Sequence, residues 1–142
     1  MKNTGMHINS VRYKEKRDST EISISYEDGE DIVTLKSEEE PVMEFFQAIQ
    51  GLAPLAAIAL GMEEEARNYV IVTGCSFKGL GEDILASVSF IFEPPQGLVQ
   101  VATVKVMIDE RNSSLFKSVE FVAESYLRGD RKYRQGSLLQ AS

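Results

Sequence analysis

Tryptophan is absent from this 142-residue chain, and Cys75 and His7 are each the only residue of their type. A single cysteine excludes an internal disulfide framework and fits a reducing, cytoplasmic setting. One cysteine and one histidine cannot make a zinc site, and the carboxylates show no clustering suited to a hard cation. No metal and no cofactor is therefore expected. No apolar run follows Lys2, so the N-terminus does not read as a secretory leader. The most apolar stretch, residues 42–62, is broken by Glu44, Gln47, Gln50, Gly51 and Pro54. A polar residue every three or four positions marks a helix with one wet face, so no membrane span is expected.

What is present is the composition of one soluble domain, 43% apolar and 26% charged. The net charge of −7 is unevenly placed. Arg128, Arg131, Lys132 and Arg134 stand against Asp130 near the C-terminus, a local +3 that leaves residues 1–127 with −10. An acidic body repels phosphate, so nucleic acid is expected to be touched only indirectly or weakly.

Ile22, Ile24 and Tyr26 alternate with Ser23 and Ser25, the period-two pattern of a strand with one buried face. Asp28-Gly29 signals a hairpin, Ile32–Lys36 reads as the return strand, and Ile8–Tyr13 as an earlier one. Ser37 with Glu40 fits a capping box, and Val42, Phe45, Phe46, Ile49 and Leu52 recur at helical spacing. A helix is predicted over about 38–60, interrupted near Pro54, which has no amide hydrogen to donate. Tyr69–Phe77, Ile84–Phe92 and Leu98–Ile108 read as three more strands, separated by the turn-rich KGLGED and EPPQG. A last helix over about 113–128 carries the stripe Leu115, Phe116, Val119, Val122, Ala123, Tyr126 and Leu127, capped by Asn112 or Ser113 and ended by Gly129. Phe46, Ile49, Val119 and Val122 are expected in the core.

The pattern βββα-βββα predicts an α+β domain over residues 1–128, with about six antiparallel strands and two main helices on one face. Strand edges left by such a sheet favour a homodimer. Residues 129–142 are expected to form a basic, flexible tail.

No constellation suggests catalysis, so an enzyme is not expected. His7 has no nucleophile nearby in sequence, and Cys75 in an apolar strand reads as a small hydrophobe. Gly74, Gly79 and Gly81 do not match a phosphate loop and read as turn glycines. Glu38–Glu40 and Glu63–Glu65 point in different directions if helical, which suits capping and solubility better than a metal. Asp28, Asp31, Glu82 and Asp83 belong to turns, and Arg128-Gly129-Asp130 is a helix end.

The tail carries the one suggestive motif. Gln135-Gly136-Ser137-Leu138-Leu139 resembles the short peptide by which bacterial replication and repair proteins dock on the sliding clamp. Gln135 would fix register, Ser137 occupies the usual small polar position, and Leu138 and Leu139 would fill an apolar pocket. The four basic residues Arg128, Arg131, Lys132 and Arg134 would steer the approach.

Four segments resemble a group of small phage and prophage proteins of unknown function. They are Val33–Pro41, Gln50–Pro54, Val72–Phe77 and Glu124–Arg131. Members of that group sit among replication and recombination genes, and several end in a Gln-containing tail, so the resemblance implies a context rather than an activity. The first strand and residues 98–111 depart from its pattern.

The leading expectation is thus a non-enzymatic accessory of phage DNA replication or recombination, acting through protein contacts and a clamp-docking tail. The alternative is an oligomeric protein that binds a small ligand such as a nucleotide, in a counter-defence role.

Overall fold

The computed structural model describes residues 6–15, 19–78, 85–95 and 97–131. Six strands form one sheet: β1 (Met6–Glu15), β2 (Thr20–Asp28), β3 (Asp31–Ser37), β4 (Val70–Lys78), β5 (Leu85–Phe92) and β6 (Gln100–Met107). Its order is β3-β2-β1-β4-β5-β6, and every neighbour is antiparallel. The sheet is two three-stranded meanders joined at their first strands. Within each meander consecutive strands pair directly, while the β1–β4 junction brings together strands separated by the first helical layer.

Helices α1 (Met43–Gln50), α2 (Ala53–Ala59) and α3 (Ser113–Leu127) pack on one face. The expected α+β architecture, with antiparallel strands and helices in the order βββα-βββα, is the one observed. The predicted break near Pro54 separates α1 from α2, and Pro54 sits in the first turn of α2, where a missing amide hydrogen costs nothing. Among the described residues, no helix is long and apolar enough to cross a membrane.

Alternation along the strands decides which residues reach the core. Val11, Ile22, Ile24, Val72, Val88 and Phe90 are fully buried beneath the helices, joined by Phe45, Ile49, Phe116, Val119 and Tyr126 from the helices themselves. Ile49 and Val119 lie where expected. Phe46 and Val122 are only half-buried, because α1 turns Phe45 inward and α3 centres its stripe on Val119, Ala123 and Tyr126.

Three local expectations are corrected. The first helix starts at Met43, not near residue 38. Ser37 Oγ instead accepts the Glu39 amide at 3.1 Å, and Pro41 disfavours helical backbone at Glu40 before it. The hairpin turn is centred on Gly29-Glu30, with Asp28 paired to Asp31 and Gly29 at φ 68°, a left-handed value that suits glycine. Gly74 is a strand residue. It faces Arg12 across the β1–β4 junction, and a Cβ there would lie 2.9 Å from Arg12 Cγ and 3.0 Å from the Val11 carbonyl. The C-terminus of α3 closes as read: Gly129 has φ 103°, its amide donates to the Tyr126 carbonyl, and the Asp130 amide donates to the Ser125 carbonyl. Of the turn residues, Gly79, Gly81, Glu82 and Asp83 lie outside the described residues.

Candidate functional site: the open sheet face

Because alternate residues point to opposite faces, the buried set above fixes what the helix-free face presents. Register turns those residues into rows. Thr34, Ser25, Ser10, Ser76, Ser87 and Lys105 are successive cross-strand partners over all six strands. The next row is Lys36, Ser23, Arg12, Gly74, Ser89 and Thr103, with the Ser89 and Thr103 hydroxyls 3.0 Å apart. Beyond it, Ile71, Ile91 and Val101 form an apolar row on one half, and Lys14 pairs with Glu21 on the other.

This end of the face is concave, a groove of about 720 Å³. Its shape comes from the junction. β1 and β4 pair only through Ser10–Arg12 and Gly74–Ser76, and past Arg12 they part. The side chain of Gln50, at the end of α1, closes the parting from the helix side. Its Nε2 donates to the Val72 carbonyl and to the Tyr13 hydroxyl, each at 2.7 Å, and its Oε1 accepts the Val72 amide at 2.9 Å. A side-chain amide thereby replaces the missing strand neighbour of Val72.

The groove is amphoteric. Arg12, Lys14 and Lys36 share it with Glu15, Glu21 and Glu93, alongside the hydroxyls of Ser23, Thr73, Ser89 and Thr103. Burial, with Glu15 nearby, pushes the Tyr13 phenol above its ordinary range and keeps it protonated. Its volume lies within the 300–1,000 Å³ or so of small-molecule sites.

Other singled-out residues lie elsewhere. Cys75 is buried on the helix side, and burial, reinforced by Glu120, pushes its thiol up to about 12, which suppresses the reactive thiolate. Burial likewise raises Glu120, opposed by the charge of His7. Among the described residues, no group of three His, Cys, Asp or Glu is placed to hold a metal ion.

Arg131, expected as a solvated tail charge, is instead 8% exposed and part of the body. Its Nε donates to the Tyr126 carbonyl at 3.0 Å and its Nη1 to Glu39 at 2.8 Å, while the guanidinium lies 4.3 Å over the Tyr126 ring. The physical reason is shape: a planar cation can stack on an aromatic face and bond at its edges together. A backbone bridge from Arg131 to Pro41 completes the latch between the end of α3 and the β3–α1 connection. Arg128 is exposed at the helix end. Lys132, Arg134, Gln135, Ser137, Leu138 and Leu139 lie outside the described residues, so the docking motif is carried by sequence alone.

The rows and the Gln50 clasp were not foreseen. Alternation signals each strand's faces, but register between strands has no signature within any one strand. Comparison with protein-family models, curated proteins and solved structures found no match.

Proposed function

We propose that this chain is a non-enzymatic accessory protein of phage DNA replication or recombination, acting by contact, with its tail as a docking peptide for a bacterial sliding clamp. The observation that carries this reading is the Gln135–Leu139 sequence, which follows shortly after Arg131. Anchoring of Arg131 to Tyr126 and Glu39 supports it, since the peptide then starts from a fixed point on the body.

Each leucine contributes roughly 1.5–3 kcal/mol if fully enclosed, so after ordering costs the dissociation constant is expected to be micromolar. Calorimetry of the full chain with purified clamp tests this. Replacing Leu138→Ala and Leu139→Ala together should abolish the heat of binding and leave the melting temperature nearly unchanged. Absence of binding by the unaltered chain at about 100 μM clamp would sink the reading.

A second reading is favoured by the groove: a small anionic ligand, such as a nucleotide, held by Arg12, Lys14 and Lys36 with the neighbouring hydroxyls. Titration of nucleoside triphosphates in the same calorimeter separates the two, because Arg12→Ala would weaken this binding and leave clamp binding intact.

A further inference from the structure

Strand β6 has an interior strand's composition at the sheet's edge. Ala102, Val104 and Val106 face the helices, and Val101, Thr103 and Met107 face the open side, with Lys105 as the strand's single charge. A long apolar strand at a sheet edge offers its unpaired backbone groups as a template for strand addition. Here β5 is the neighbour on one side, and among the described residues no strand pairs with the other edge of β6. Exposure on and just before β6 is large: Leu98 86%, Val99 60%, Val101 77% and Met107 59%. Helix α2, which lies over β4, β5 and β6, adds exposed Ile58 and Leu60 in the layer above.

Charge indicates the occupant. Residues 94–108 contain no Asp or Glu, in a chain with 22 of them. Two copies of so acidic a body repel each other over most approaches, and this acid-free edge is a place where they can meet. The opposite edge, β3, also exposes Ile32 but carries Asp31 within the strand, a charge of the kind that discourages strand addition. Pairing β6 with β3 of another copy would also continue without limit, whereas β6 against β6 closes about a two-fold axis.

We propose that β6 pairs antiparallel with β6 of a second copy, making a twelve-stranded sheet. The two-fold axis runs perpendicular to such a sheet, so both helical layers fall on one side and both open faces on the other. Val101 and Thr103 line the groove and stand on the pairing strand, so the two grooves adjoin across the interface. A strand pair alone is small for a stable dimer, which buries about 1,200 Å² or more in total, and exposed Ile58, Leu60, Leu98 and Val99 supply the remainder.

Sedimentation of the full chain from about 1 to 100 μM should show twice the 15.8 kDa chain mass at the upper end. Amide exchange should show concentration-dependent protection of the β6 amides that do not bond to β5. Val101→Lys should raise the dissociation constant at least about 100-fold, and Val33→Lys on the other edge should not change it. Both sites are solvent-exposed in the monomer, so the fold should persist by circular dichroism. Should Val101→Lys misfold, Val99→Lys serves in its place. A monomer at 100 μM, assemblies growing beyond two copies, or a dimer broken by Val33→Lys and spared by Val101→Lys would each overturn the proposal.

Discussion

Replacing Gln50→Leu should destabilise the protein by about 2–4 kcal/mol, measured by urea unfolding. Val72 is fully buried, and its amide and carbonyl face the gap where β1 has left β4. Gln50 bonds both groups and the Tyr13 hydroxyl. Leucine fills similar space but leaves a buried donor and a buried acceptor unpaired, each costing about 1–3 kcal/mol. Gln50 itself is half-buried, so water recovers part of that loss and the upper sum is not reached.

Gln50→Glu separates hydrogen bonding from packing. Its carboxylate can accept the Val72 amide but cannot donate to the Val72 carbonyl. Protonation restores the donor, so the introduced group should have a folded pKa above the unfolded glutamate value of about 4.3. A raised folded pKa means the added stability is fully present below about 4.3 and lost as pH rises through the folded value. Gln50→Glu should therefore exceed Gln50→Leu in stability at acid pH and lose that advantage at neutral pH. Equal pH profiles for the two variants would show that the amide does not clasp Val72.

The clasp also marks where sequence reading stops. Strand alternation at Ile22–Tyr26 and helical spacing at Phe45–Leu52 are local, so the order of elements and the fold class were legible. Gln50 meets Val72 across 22 residues, and nothing local to either distinguishes the pair. Arg131 was misassigned for a related reason: charge and a preceding helix stop suggested solvent, while its burial depends on Tyr126 and on Glu39, 92 residues away. Ser37 carried a genuine capping pattern, overridden by Pro41, two residues before the helix begins at Met43. Gly74 read as a turn because glycine weakens strands, yet the close approach of β1 leaves no room for a Cβ. At the open face, Ser23 and Ser25 were visible as the wet positions of one strand. Their rows with Arg12 and Ser10 came only with register.

Phe45→Ala should cost the most, about 3–5 kcal/mol, because it empties a fully enclosed aromatic site. Phe45 is 1% exposed, and its ring lies 5.5 Å from Tyr126 at 48° and 6.0 Å from Phe46 at 84°. Phe46 is half-buried, packs edge-on against Tyr13 at 5.3 Å, and should cost only about 1–2 kcal/mol on truncation. The Phe45 cavity would adjoin the ring on which the Arg131 guanidinium rests, and that same tyrosine donates its hydroxyl to the Glu39 carbonyl at 2.6 Å. A ring free to shift into the cavity loses both contacts. Arg131→Ala alone should cost about 1–3 kcal/mol, the lower part favoured because Glu39 is 42% exposed and water screens the ion pair. Combined with Phe45→Ala it should cost less than the sum, with a coupling of at least about 0.5 kcal/mol by double-mutant cycle. Additive losses would show that the latch stands independently of the aromatic cluster. A larger loss from Phe46→Ala than from Phe45→Ala would mean that α1 presents its other aromatic to the core.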